Sequence, residues 1–205
     1  MCTYAQKSIS EATLIYTIST HSASKTPQAD PLAGATNTVY LKGSFSRTDM
    51  SSALGKETTI MDSKTGTGVI LKEYSGQKLM ITLSKENWIT QNKKFEGVNF
   101  VVTAETKKVA GYNCIKATAS LNDGSLLVVY YTTDIITINK TYDPTFKNLQ
   151  GLPVEYEFDN GKLQFKYLLT TVDQASIALT KFDYPKTGFR IMTYEENRLG
   201  KKEGQ

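Results

Sequence analysis

Apolar and polar residues alternate with period two along most of this 205-residue chain, and that alternation narrows the possible fold more than any other feature. Leu14, Tyr16 and Ile18 share one phase of an opening run, as do Leu79, Ile81 and Leu83 in QKLMITLS, where Lys78 and Thr82 take the other phase. Such a period belongs to half-buried β-strands, whose side chains point alternately to the two faces of a sheet. Similar runs cover 37–46, 56–63, 67–75, 98–109, 110–121, 125–138, 153–158, 162–173, 175–184 and 188–193, so about eleven or twelve strands are expected. Asn122-Asp123-Gly124, Asp159-Asn160-Gly161 and Ser75-Gly76 lie between runs and favour the positive backbone angles of hairpin turns. Connections this short exclude parallel crossovers, so the sheet is expected to be largely an antiparallel meander.

Four stretches break the pattern. Residues 21–35, HSASKTPQADPLAGA, have no apolar period and read as a loop or linker. From Ser84 to Phe95 a short helix is expected, with Ser84 as N-cap, Asn87 at its third position, and Trp88, Ile89 and Phe95 as a partial apolar stripe. A second short helical or irregular segment runs from Thr141 to Gln150, opening at Asp143-Pro144 and stopping at Gly151. The end of the chain, 195–205, reads as a flexible, solvated tail. Residues 7–194 are expected to form one β domain, because a chain of this size with 40% hydrophobic residues can bury one sizeable core. Residues 1–6 read as a signal-peptide remnant, since Thr3-Tyr4-Ala5 has the small-x-small form of a cleavage site; an ordinary N-terminus accounts for the triplet equally well. Cys2 is then lost with that segment, lipidated, or retained, and unless it is retained Cys114 has no partner in the chain.

Most chemistries find no support in the letters. Lys and Arg total 24 against 20 Asp and Glu, scattered and not gathered into a basic stripe, which argues against nucleic acid as a partner. No apolar stretch approaches the ~18 residues of a transmembrane segment. Glu155 and Glu157 lie two apart on one strand phase, opposite Val154, Tyr156 and Phe158, as residues of a solvent face do. A glycosidase would need its carboxylates across a cleft. Gly55-Lys56 lacks the hydroxyl residue and upstream glycine of a phosphate loop, and the TGTG at 65–68 opens no helix. The single histidine, His21, is far in sequence from Cys114, and no paired CxxC, HExxH or Gly-x-Ser-x-Gly occurs. No catalytic residue, metal site or cofactor is expected.

Two segments carry a resemblance. KKVAGYNCIKATASLNDGSLLVVYYTTDI (107–135) followed by NLQGLPVEYEF (148–158) resembles a family of bacterial envelope proteins of GLPDLI type. The shared positions are Gly111, Tyr112, Cys114, Lys116, Ala117, Tyr131, Thr132, Gly151, Leu152 and Pro153; Val154 departs from the acidic residue that follows the proline in that group. In strand count the chain is similar to the LolA-like lipoprotein-carrier fold. That similarity implies a mainly β fold: a single curved antiparallel sheet, an open half-barrel with one or two short covering helices. It also implies export to the periplasm or outer envelope, and a lipid or lipoprotein partner.

Several strands, those at 126–131 and 163–172 among them, are apolar on both phases and so need cover on both faces, either by a helix or loop layer beside a cavity or by a plain two-layer sandwich with none. The first arrangement singles out Leu126, Val128, Tyr130, Phe165, Tyr167 and Leu169 as candidate ligand-binding residues, with Trp88 at the mouth of a cavity. The function expected from these readings is non-enzymatic binding of an apolar ligand, a lipid or acyl chain, on the concave face. The alternative is an envelope interaction module with no small-molecule ligand.

Overall fold

The computed structural model describes residues 6–22, 32–159 and 163–203. Among them are fourteen strands: β1 (Lys7–Ile9), β2 (Glu11–Ser22), β3 (Ala35–Lys42), β4 (Phe45–Ser52), β5 (Gly55–Asp62), β6 (Thr67–Tyr74), β7 (Gln77–Leu83), β8 (Val101–Val109), β9 (Tyr112–Ser120), β10 (Leu126–Thr132), β11 (Ile135–Thr137), β12 (Leu152–Asp159), β13 (Leu163–Asp173) and β14 (Arg190–Met192). Twelve of them form one open sheet in the order β14-β7-β6-β5-β4-β3-β2-β13-β12-β10-β9-β8, while β1 and β11 pair in parallel as a separate ribbon. Every neighbouring pair in the large sheet is antiparallel except β14 with β7.

The sheet consists of two meanders, β2–β7 and β8–β13, joined where β13 lies against β2. That arrangement puts the end of β7 and the start of β8 ten inter-strand steps apart, or ~48 Å if the sheet were flat. The connector, residues 84–100, contains helix α1 (Lys85–Gln91) and a 3-10 turn (Lys93–Phe95), so even with its other residues fully extended it reaches only ~45 Å. The sheet must therefore curl to bring its ends together. Irregular register between Tyr130 and Tyr131 and between Leu169 and Thr171 supplies local bends of the kind β-bulges give.

Register defines two faces. Ile81, Ile70, Thr59, Thr48, Val39 and Leu14 lie in one row across the first meander, and Ile18, Tyr167, Tyr156, Val129 and Ala117 continue that face across the second. This inner face carries the main core: Leu14, Tyr16, Val39, Leu127, Val129 and Leu169 pack with Val98, Phe146 and Leu149 of the covering segments. On the outer face of the first meander, residues 174–189 run as a strap from β13 to the edge strand β14. Its Ile177 and Phe182 pack on Ile60, Val69, Leu71 and Met80. Arg47 donates to the Lys181 carbonyl (3.0 Å) and fastens the strap. β6 is thus covered on both sides, and its Val69, Ile70 and Leu71 are all buried.

Helix α1 begins as its sequence implies, with Ser84 and Asn87 exchanging hydrogen bonds in a capping box. Asp143 accepts from the Thr145 amide at the head of a 3-10 turn, Pro144–Phe146. Elsewhere the structure differs from expectation. The run 37–46 is broken by a turn at Gly43-Ser44, and β4 was missed because FSRTDMSS is polar on both phases. Its buried Asp49 is neutralised by Arg47 and Lys56 and accepts from Thr58. Residues 175–184 contain no strand but a 3-10 turn, Leu179–Phe182, because only Ile177 and Phe182 face the sheet while Leu179 is exposed. The run 125–138 divides into β10 and β11. The segment from Glu195 lies in helix α2 (Tyr194–Glu203), whose first turn is held by hydrogen bonds exchanged between Thr193 and Glu196. Of the 21–35 stretch, 23–31 fall outside the described residues, as do 1–5 with Cys2, and 160–162 of the Asp159-Asn160-Gly161 turn.

Gly151-Leu152-Pro153 has a packing reason. A Cβ on Gly151 would lie 2.1 Å from the Thr132 carbonyl oxygen and 2.7 Å from the Tyr131 ring, so only glycine lets the chain pass this close to β10. Leu152 is buried beside it, and Tyr16 donates to the Pro153 carbonyl (3.0 Å). Gly151→Ala is expected to lower stability by about 1–3 kcal/mol, the usual cost of overpacking, measured by chemical unfolding; unchanged stability would show that the strands can move apart freely.

Candidate functional site

The inner face of the second meander is aromatic. Tyr156 stacks on Tyr167 (4.6 Å between ring centroids), and Phe146 meets Tyr156 edge-on at 4.7 Å. Phe158 stands edge-on to both tyrosines. Register explains the cluster: the β12–β13 hairpin pairs Tyr156 with Tyr167 and Phe158 with Phe165, which puts all four on one face. Phe158, Phe165 and Tyr167 are only half-buried. With Phe95 and the β9–β10 turn they line an open recess of about 910 Å³. Lys94 and Asp123 pair at 3.8 Å on its rim. A second recess of about 570 Å³ lies on the same face, between α1 and the Pro144 turn, with Met61 and Trp88 among its lining; Phe95 borders both.

Burial governs the titratable groups around the aromatic shelf. Burial pushes the Asp143 carboxyl up, against hydrogen bonds from Thr145 that lower it. Burial first, then the nearby Asp143 carboxyl, raises the phenols of Tyr142, Tyr156 and Tyr167. The phenols therefore stay protonated at neutral pH, and an apolar molecule would meet no phenolate charge there.

The seven residues singled out from sequence do not form one lining. Phe165 and Tyr167 are on the aromatic shelf, and Trp88 lies over Met61, Ile70, Ile81 and Leu83 in the second recess. Leu169 is on the same face but is fully enclosed in the core. Val128 and Tyr130 are in the opposite phase, paired with Glu157 and Glu155, so they belong to the outer face, whereas Leu126, 54% exposed at the start of β10, borders the aromatic recess. On the outer face Lys107 sits 3.7 Å from the centre of the Tyr130 ring, whose hydroxyl donates to Glu105.

Phe158 and Phe95 were missed as site residues. A signal for Phe158 was present, because a hairpin turning at Asp159-Asn160-Gly161 opposes it to Phe165. For Phe95 the sequence offers only a place in a partial helical stripe. Its place between the recesses depends on the path of the 84–100 connector, which no local pattern encodes.

Glu155 and Glu157 are structural. Glu155 accepts from Lys107 (2.7 Å) and pairs with Lys166 (3.1 Å), which also reaches Glu157 (3.4 Å). Cys114 is buried on β9, four strands from His21 on β2 in the sheet order. Among the described residues no group of three or more His, Cys, Asp or Glu could hold a metal ion, and no helix is long and apolar enough to cross a membrane.

No family model and no curated protein matches the sequence. Among solved structures the chain is similar to PNGF-II, with a TM-score of 0.53 and 15% identity over 94% of this chain and 33% of that one. It spans about a third of the length of the first solved structures it matches. At lower TM-scores it is similar to MucB (0.45, 9% identity, 86% of this chain and 58% of that one). It is also similar to the LolA superfamily protein NE2245 from Nitrosomonas europaea (0.39, 10% identity, 85% and 90%). At these identities the likeness is one of fold.

Two outcomes follow from the buried groups. Burial would raise the Glu155 carboxyl, but hydrogen bonds from Lys107 and Lys166 and their charges outweigh it and the net direction is down. The stabilisation this provides is present above the unfolded carboxyl range and is lost as pH falls through the lower folded value. Glu155→Gln should therefore cost about 1 kcal/mol at pH 7, and its gap from the parent should close below about pH 4. A gap independent of pH in denaturation curves would contradict the assignment. Burial pushes the Cys114 thiol up to about 11, so a thiol-reactive dye at pH 8 should label the chain at Cys114 only after unfolding.

Proposed function

We propose that this chain is a non-enzymatic envelope protein that holds an apolar ligand, a lipid or lipoprotein acyl chain, against the inner face of its sheet. The observation that carries the reading is the aromatic shelf: Phe158, Phe165 and Tyr167 are left half-buried beside an open recess at the end of the second meander where β9 turns into β10. Its size falls in the range of small-molecule sites, and its mix of aromatic walls with a few polar groups is of the usual kind. Phe95, on the connector, would close over the ligand from the covering side. Trp88 serves the second recess in this reading. Export to the periplasm or outer envelope belongs to the same proposal and is supported by the resemblance of residues 107–135 and 148–158.

A second reading, a module that docks a partner chain, is favoured by one observation. The edge strand β8 exposes Val101 (67%) and Val102 (55%), and its outer face continues through Thr118 to Val128. An extended peptide added antiparallel to β8 would use that edge.

Titration with a naphthalene-based apolar dye separates the two. Saturable binding that weakens at least roughly tenfold in Phe165→Glu, with the melting temperature held, supports the ligand reading, tenfold being what the loss of about 1.4 kcal/mol of apolar contact gives. No dye uptake, together with no co-purifying lipid by mass spectrometry, would overturn it.

A further inference from the structure

The second recess differs from the first in its charge. Its floor is apolar, from Met61 of β5 and Trp88 of α1, with Phe95 and Pro144 beside them, while two lysines stand at its border: Lys85 from α1 and Lys147 from the end of the Pro144–Phe146 turn. The lysines along the sheet are mostly neutralised, as Lys107 and Lys166 are by Glu155 and Lys42 is by Glu11. Lys85 and Lys147 take part in no ion pair among the described residues, and both are exposed. Glu96 is the one carboxylate in the lining, so cations outnumber anions there. The Lys85 stem is held in place: it lies over the β5–β6 turn, where a Cβ on Gly66 would come within 3.0 Å of Lys85 Cγ. A stem laid on the protein surface with a free ammonium at its end is the arrangement by which lysine covers apolar surface while presenting charge.

We infer that this recess binds a single-chain amphiphile with an anionic head, its alkyl chain on Met61, Trp88 and Phe95 and its carboxylate or phosphate between Lys85 and Lys147. The inference rests on the reading of the inner face as a ligand face and adds the class of head group. Glu86, next to Lys85, feels its charge but accepts from the Ser84 hydroxyl, so both ammonium groups remain outside any close ion pair, which favours an anion and disfavours a neutral or cationic head. They also make the affinity fall as salt rises, because the lysines are exposed.

The chain carries its own reporter, since Trp88 is its only tryptophan. Dodecanoate, dodecyl phosphate and dodecanol would be titrated separately against Trp88 emission, the first two distinguishing a fatty-acid carboxylate from a phospholipid-type phosphate. Both anions should change the emission saturably, with dodecanol weaker by roughly tenfold, two partly exposed charge contacts together providing about that factor. In the Lys85→Gln/Lys147→Gln double variant the preference should disappear while dodecanol affinity and the melting temperature stay as in the parent. Dodecanol binding as tightly as the anions, or a double variant that keeps the preference, would overturn the inference and leave the ligand reading standing. If no alkyl compound changes Trp88 emission while the naphthalene dye still binds the aromatic recess, the inference fails alone. If neither binds, both readings fall.

Discussion

Antiparallel pairing of β13 with β2 is the contact on which the rest of the architecture depends. It joins two meanders that could each have been a small sheet, and it sends the chain's two long connections across opposite faces. The 84–100 connector has to pass over the inner face because β7 and β8 stand toward opposite ends, and its limited reach makes the sheet bend toward it. The 174–189 strap has to pass over the outer face because β14 is at the far edge. Curvature, cover and the two-sided burial of β6 are therefore consequences of one strand pairing.

The two faces then solve different problems. On the outer face of the second meander no layer among the described residues covers the sheet, and this phase carries a lattice of charges: Lys107, Glu155, Lys166 and Glu157 in one chain of contacts, Lys116 and Glu105 in another. Apart from those of the buried Glu155, individual exposed pairs of this kind add little stability. Their larger effect is to keep the broad outer surface next to the β8 edge charged, which discourages edge-to-edge aggregation. Tyr130 and Val128 fit there because a ring or a branched aliphatic group can lie beneath lysine stems. The inner face, by contrast, has its titratable phenols held neutral by burial, and its apolar groups are gathered around Tyr156.

Strand number, antiparallel order and the α1 capping box were legible because each rests on local spacing. Assignment of faces was legible only within a hairpin. The Glu155 and Glu157 phase was read correctly as the solvent side of β12, and the turn at 159–161 carries that reading to β13. What could not be read was which phase of β10 sits beside Glu155, because β10 and β12 are separated by β11 and two short turns and their register is set by non-local packing around Gly151. Leu126, Val128 and Tyr130 look as apolar as Leu127, Val129 and Tyr131, and a one-residue slip exchanges them. The polar strand β4 was hidden for a related reason: its buried Asp49 is acceptable only with Arg47, Lys56 and Thr58 around it, and that neighbourhood exists only after β4 and β5 pair.

Open space on the inner face follows from the character of its cover. Helix α1 has no fully buried residue, and the rest of the cover is made of short pieces, single 3-10 turns, the β1–β11 ribbon and the start of α2, so it brings few side chains to fill the concavity. Phe158 and Phe165 consequently stop short of the burial that an aromatic side chain in a core reaches, which forgoes a share of the roughly 1.5–3 kcal/mol that full enclosure of each would give. A molecule that covers these rings supplies part of that missing burial, and because the shelf exists only when β12, β13 and the connector are assembled, its binding would favour the folded state. A bulkier, more apolar connector would stabilise the empty protein by occupying the same surface. The sparse cover is thus the feature that leaves the curved sheet a face on which something other than its own chain can be buried.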